Sequence, residues 1–225
     1  MKAYLPVVNK YERQAQKYDQ RWNRSYGGAL LHACIEAVPW SRVRRVLDVG
    51  CGTGSLEQNV LERNHLPIPA PAGSPVQLIG VDASLAMLRE ARSKVNGNGH
   101  GLVSWNNALA EGLPFRAASV DAVVCANSFH YYRHPRQVLH EFHRVIRPDG
   151  WLVLADWCHD YMTCKVGQWA LRVADRMGLH RYGLERCYSM EECAALLTAA
   201  GFQIETARRF EIDWGWGVMI YRARA

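Results

Sequence analysis

Three glycines alternate at the end of an apolar run in VLDVGCGTG, residues 46–54, with Asp48 just ahead of them. Gly50, Gly52 and Gly54 let a backbone turn tightly and approach a ligand with no Cβ in the way. A helix starting just beyond them offers free N–H groups and the positive end of its dipole, which suits an anionic group. A carboxylate beside that loop is a poor neighbour for a pyrophosphate. It suits a ligand that carries positive charge as well as a carboxylate. The spacing also differs from the G-x-G-x-x-G of dinucleotide sites. Thr53 or Ser55 stands where a third dinucleotide glycine would fall.

Asp82 closes the next apolar run, VQLIGVD, 28 residues after Gly54. A carboxylate there can accept hydrogen bonds from both hydroxyls of a ribose. Alone it reads equally well as a cap on the next helix. Joined to D-x-G-x-G-x-G, it points to S-adenosyl-L-methionine. The amino-acid end of that molecule has both signs of charge, and its sulfonium is cationic.

Three clusters downstream could meet an acceptor: Ser128-Phe129-His130-Tyr131-Tyr132, Asp156-Trp157-Cys158-His159-Asp160-Tyr161, and Trp214-Gly215-Trp216. His130 and His159 are candidate catalytic bases, because imidazole titrates near neutral pH. Each also reads as a hydrogen-bonded loop histidine. The tryptophans either line an apolar acceptor pocket or pack a hairpin. Cys158 and Cys164 could bind a soft acceptor such as trivalent arsenic, and Cys187 and Cys193 repeat their interval. Small buried apolar thiols are the plainer reading. Seven cysteines, an odd number with no CxxC pair, speak against a disulfide framework and a zinc ribbon. No metal site is expected.

These residues need elements to position them. Residues 1 to about 40 have Tyr11, Ala15, Tyr18 and Trp22 at helical spacing, broken near Gly27-Gly28. RVRRVLDVG reads as a strand, SLEQNVLERN as a helix, and HLPIPAPAGSP as a surface loop. VQLIGVD (strand) and SLAMLREARSKV (helix, stopped near NGNGHG) follow, then the strands GLVSWNN and SVDAVVCANS. PRQVLHEFHRVI is a helix stopped by Pro148-Asp149-Gly150, ahead of the strand WLVLADW. YMTCKVGQWALRVADRM and SMEECAALLTAAG are helices, the second with a capping box of Ser189 and Glu192. FQIETARRFEI and GVMIYRARA are the last strands. Alternation of strand and helix predicts an α/β fold: a doubly wound, seven-stranded, mostly parallel sheet with helices on both faces. The last two strands have no helix between them and should form an antiparallel hairpin at one edge. One domain is expected over 1–225, with 1–40 as a helical lid on a core of 41–225.

VLDVGCGTG, IGVDASLAML, AEGLPF, SVDAVVCANSFHYY and EFHRVIRPDGWLVLAD, in this order, resemble the class I S-adenosylmethionine-dependent methyltransferases. The nearest group is the small-molecule, ubiquinone-biosynthesis-like one. The resemblance covers roughly residues 43–156 and, more weakly, 11–26. It implies a Rossmann-like core. It also implies that Gly50, Cys51, Gly52 and Gly54 hold the methionine end, with Asp48 near its amino group. Asp82 would bind the ribose, and Ala83 or Met87 would lie against ribose or adenine. Asn127 would offer its backbone carbonyl to the amino group, and Tyr11 and Tyr18 could close over the cofactor. Leu109 stands where the family usually has an acid that accepts from the adenine amino group. Asn106, Asn107 or a backbone carbonyl would have to replace it, while the Ala110 N–H could still meet the ring.

The expected reaction is methyl transfer to a small-molecule acceptor by in-line displacement. A nucleic-acid acceptor is the alternative that the formal charge of +6 suggests. Base-amino enzymes of that kind follow their Asn or Asp with two prolines and an aromatic; here Ser128-Phe129 follows Asn127. The basic residues are mostly scattered, as on a solvated surface. A non-enzymatic partner subunit is disfavoured by the intact loop and Asp82. No apolar run approaches the ~18 residues of a membrane span, and the polar N-terminus has no signal-peptide core. The expectation is a cytoplasmic enzyme with no membrane partner.

Overall fold

The computed structural model describes residues 5–22, 28–62, 75–95, 101–178, 186–212 and 215–225. Its strands are Arg45–Val49 (β1), Gln77–Asp82 (β2), Val103–Asn107 (β3), Val120–Ala126 (β4), Ile146–Trp157 (β5), Gln203–Ile212 (β6) and Trp216–Arg224 (β7). The helices are Leu5–Trp22 (α1), Gly28–Ala37 (α2), Ser55–Glu62 (α3), Leu85–Val95 (α4), Pro135–Val145 (α5), Met162–Arg176 (α6) and Met190–Ala199 (α7). The predicted loop over 65–74, the stop over 96–100, Gly27, Trp214 and the side chain of Trp22 lie outside the described residues.

The sheet order is β3-β2-β1-β4-β5-β7-β6. The first five strands are parallel, and β7 runs antiparallel to both β5 and β6. β1 and β4 are buried almost throughout, because helices cover both faces. Along β1 the faces alternate. Leu47 and Val49 pack with Leu139, Phe142 and Leu197 of α5 and α7. Val46 packs with Ile35 of α2 and Leu56 of α3. Each such side chain contributes about 1.5–3 kcal/mol by leaving water. The order reverses between β1 and β4, and ligands bind beyond strand ends at such a point.

The two final strands form the expected antiparallel hairpin, with β6 at the edge. The reason is in their side chains. β7 buries Val218, Met219, Ile220 and Tyr221, whereas β6 is mostly exposed and carries Glu205, Arg208 and Arg209. A charged edge resists pairing with another chain. Trp216 packs edge-on against Trp157, with centroids 5.7 Å apart.

One boundary differs from the sequence expectation. Pro148-Asp149-Gly150 does not separate α5 from β5, because β5 begins at Ile146. Ile146 pairs with Val120 and the register then shifts, so that Trp151 pairs with Ala122. The exposed residues 147–149 bulge from the ladder, and Asp149 adopts a φ of +63°. Buried Ile146 takes a core position that a loop residue would have left empty.

The capping box at α7 is complete. Ser189 Oγ accepts from the Glu192 N–H at 3.1 Å, and Glu192 Oε2 accepts from the Ser189 N–H at 3.0 Å. Ser189→Ala should cost about 1 kcal/mol of unfolding free energy, read by urea titration.

Candidate active site

At the end of β1 the chain turns at Gly50, where φ is +79°. A Cβ there would lie 2.5 Å from Ser128 Oγ, so the turn passes Ser128 only as glycine. The Gly50 and Cys51 N–H groups both donate to the Val81 carbonyl, at 2.8 and 3.1 Å, latching the loop to β2. Gly54 serves packing instead: its Cβ would meet Trp105 at 2.6 Å and Ala91 at 2.9 Å.

Asp82 ties this loop to the next helix. Its Oδ2 accepts from the Gly52 N–H at 2.9 Å and its Oδ1 from the Ser84 N–H at 2.8 Å. Burial pushes the carboxyl up, against the opposing pull of those two donors. Asp48 and Asp82 end adjacent parallel strands at one rim of the sheet, with Asp48 in register with Gly80.

A cleft opens above this rim, with a cavity volume of about 110 Å³. Gly50, Gly52, Asp82 and Asn127 form its floor. Ala83, Met87, Leu109 and Ala110 form an apolar wall at one end. Tyr11 and Tyr18 of α1 also line it, as the lid expectation had them. The Tyr11 hydroxyl donates to the Tyr131 hydroxyl at 2.8 Å, and the Tyr11 ring lies edge-on to both Tyr18 and Tyr131. Burial pushes the phenols of Tyr11, Tyr18, Tyr131 and Tyr132 up, Tyr131 to about 12. All four are therefore neutral hydroxyls at physiological pH.

Two acids of α1 fasten it to the core. Glu12 Oε1 accepts from Ser84 Oγ at 2.8 Å and from the Ala86 N–H at 3.0 Å, at the start of α4. Asp19 accepts from Thr53 Oγ1 at 2.6 Å and forms an ion pair with Lys94. Glu12→Ala should speed cofactor dissociation by about ten-fold in stopped-flow, the equivalent of one charge-assisted hydrogen bond. Neither acid was singled out from the sequence. The signal was present: Glu12 and Asp19 recur seven residues apart, in step with Tyr11 and Tyr18.

Several expected residues fall elsewhere. Asp48 and Cys51 are buried and do not line the cleft. Strand alternation turns Asp48 away from the face of Leu47 and Val49, toward α2 and α3. There its charge acts on Cys34 and Glu57. The Cys51 side chain points at Gly80, whose Cβ would lie 3.0 Å from its Sγ. Asn106 and Asn107 are also off the wall, and Asn107 Nδ2 donates to the Asp82 carbonyl at 2.9 Å. Glu111, which the sequence reading passed over, is on the wall and brings a carboxylate to the Leu109 end.

Neither histidine lines the cleft. His130 is buried, with Nδ1 at 2.7 Å from Asp156 Oδ1 and its N–H donating to Asp156 Oδ2 at 2.8 Å. Its ring lies tilted against Tyr131 with centroids 4.0 Å apart, so it supports the turn that presents Tyr131 and Tyr132. His159 is half-buried, and its N–H donates to the Tyr188 carbonyl at 2.8 Å. All seven cysteines are free, buried and off the cleft wall. Among the described residues, no His, Cys, Asp and Glu cluster could hold a metal ion.

The floor suits a zwitterion. Asn127 has a φ of +54°, and its buried Oδ1 has no hydrogen-bond partner among the described residues. That oxygen is an acceptor awaiting a donor such as an ammonium group.

Comparisons with known proteins agree with this geometry. Residues 47–154 match the methyltransferase domain family model. The ubiquinone/menaquinone biosynthesis C-methyltransferase UbiE of Geobacter sulfurreducens is 27% identical over 205 residues, covering 85% of this chain and 73% of that protein. The demethylmenaquinone methyltransferase of Deinococcus radiodurans is 36% identical over 139 residues, 62% of this chain and 50% of its own. The crystal structure of an S-adenosylmethionine-dependent methyltransferase from Aquifex aeolicus superposes with a TM-score of 0.63 at 21% identity, over 95% of this chain and 98% of that one, a likeness of fold.

The matched methyltransferase domain and the relatives named methyltransferases support an enzyme that transfers methyl groups from S-adenosylmethionine. The chain is similar to the class I S-adenosylmethionine-dependent methyltransferases, with the domain match running over residues 47–154.

Proposed function

We propose that the enzyme methylates a small, apolar, electron-rich aromatic acceptor, such as a reduced demethylated quinone ring. The observation that carries this reading is the make-up of the cleft beyond the glycine loop. Tyr11, Tyr18, Tyr131 and Tyr132 surround it with neutral phenols, and Val7 and Val8 of α1 add aliphatic surface. Asp82 and Glu111 are the charged residues on the wall, and no Lys, Arg or His is among its described lining residues. A phosphate-bearing acceptor would find no counter-charge among those lining residues, only the Lys10 ammonium over the Tyr11 and Tyr131 rings, which disfavours the many phosphates of a nucleic acid. The thiol-assisted reading has no support either, since no cysteine lines the cleft. Two of the relatives are quinone-ring methyltransferases by name.

The bound cofactor supplies an electrophilic methyl on a cationic sulfur. Asp82 would hold its ribose, Asn127 its ammonium, and Ala83, Met87, Leu109 and Ala110 its adenine. The tyrosines and the lid exclude water and align the acceptor, and proximity of this kind supplies ~7–11 kcal/mol. Held there, the cofactor would give up its methyl to the acceptor's electron pair, and the sulfur would keep the pair of the broken bond. The acceptor's displaced proton goes to solvent or a phenol-bound water, since no histidine lines the wall and its two carboxylates, Asp82 and Glu111, stand at the end where the cofactor would bind. A labelled-methyl assay with reduced demethylmenaquinone analogues and simple phenols tests the proposal, with mass spectrometry locating the new methyl. Cofactor binding without transfer to any aromatic acceptor would overturn it.

A further inference from the structure

Four large apolar side chains stand exposed along one helix, α6: Met162, Val166, Trp169 and Met177, each 56–70% exposed. Their spacing puts them on one stripe, and Val173, half-buried, falls on the same line. The helix cannot roll to hide them, because its opposite face is already engaged. Cys164 and Gln168 are buried, and Cys164 Sγ donates to the Gly217 carbonyl at 3.4 Å. A Cβ on Gly167 would lie 2.6 Å from the Trp216 ring. Lys165, Arg172 and Arg176 recur along one border of the stripe, all exposed. None of the three forms an ion pair with a described residue.

We propose that α6 docks the enzyme onto the surface of a membrane that contains anionic phospholipid. Met162, Val166, Trp169 and Met177 would lie in the headgroup–acyl boundary, with the three cations against lipid phosphates. An apolar stripe bearing Trp and bordered by Lys and Arg is the pattern of a helix lying in the membrane interface. Self-association through the same stripe is disfavoured by charge, since a two-fold pairing of α6 brings two cationic borders together. No helix among the described residues is long and apolar enough to cross a membrane, and interfacial docking needs none. The proposal does not depend on which acceptor is methylated. Docking would nonetheless set the cleft close to lipid, because α6 leaves the same C-terminal strand ends where the cofactor loop lies.

Cosedimentation of the full chain with vesicles tests it, using phosphatidylglycerol–phosphatidylcholine mixtures against phosphatidylcholine alone. The wild type should bind the anionic vesicles, and less so as salt rises. Arg172→Gln should weaken binding about five-fold, the equivalent of roughly 1 kcal/mol for one cation near the surface. Val166→Glu and Trp169→Gln should each weaken it about ten-fold or more. Calorimetric affinity for S-adenosylmethionine should not change in these variants, which shows that they fold. Wild-type protein left in the supernatant with both vesicles would overturn the proposal. So would vesicle binding by Val166→Glu equal to the wild type, or a dimer that Val166→Glu dissociates while no vesicle captures the chain.

Discussion

Replacing Asp82 with alanine is expected to weaken S-adenosylmethionine binding about 100-fold by calorimetry. The carboxylate has two roles. Its oxygens accept from the Gly52 and Ser84 N–H groups, fixing the loop against the start of α4, and in the proposed binding mode they would also accept from the ribose hydroxyls. Losing a hydrogen bond to a charged group costs ~1.5–3 kcal/mol, and about 2.7 kcal/mol is a factor of 100. Alanine removes the ribose contact and frees the loop at once. Asp82→Asn should lose nearly as much, because its single oxygen satisfies one backbone donor while its amide group faces the other. An affinity within three-fold of wild type for either variant would place the ribose elsewhere.

Much of the fold was legible because parallel strands and amphipathic helices have different periods. Leu47, Val49 and Val123 belong to runs that only a doubly covered strand tolerates, and Val138, Phe142 and Val145 belong to a helical stripe. The bulge at 147–149 was not legible. It depends on Ile146 finding Val120 in another strand. Asp82, Met87 and Asn127 were legible because they follow strand ends in a fixed order, and the topology brings those ends together. Asp48 could have been placed better. It is one residue out of step with Leu47 and Val49, so it shares the face of Val46. His130 shows the opposite case. Its chemistry made it a candidate base, but Asp156, 26 residues later, draws it into the protein, and no local pattern announces such a pairing. Glu12 and Asp19 resemble the solvated face of a helix until α1 is laid across α4.

That position of Asp48 makes stability depend on pH. Asp48 is 4% exposed, and Glu57, fully buried on α3, has both carboxylate oxygens without a hydrogen-bond partner from another described residue. Burial, then the charge of Asp82, pushes the Asp48 carboxyl up to about 7. Burial, then the charge of Asp48, raises Glu57 as well. An unfolded carboxyl releases its proton near pH ~4. Between there and about 7 the folded chain therefore keeps a proton that the unfolded chain gives up. Unfolding free energy must fall as pH rises through that window and level off above it. The physical cost is a carboxylate ionised inside the protein beside a second carboxylate. Asparagine stays neutral at every pH. Asp48→Asn should match the wild type near pH 4.5 and become more stable above about pH 7, by a few kcal/mol on the order expected for such a carboxyl. Urea unfolding from pH 4.5 to 8.5 reads the difference. A variant less stable than wild type at pH 8 would mean that Asp48 has a donor stabilising its charge. If Asp48 and Glu57 share one proton, Asp48→Asn and Glu57→Gln together should gain less than the sum of their separate effects, because removing either acid already relieves the other.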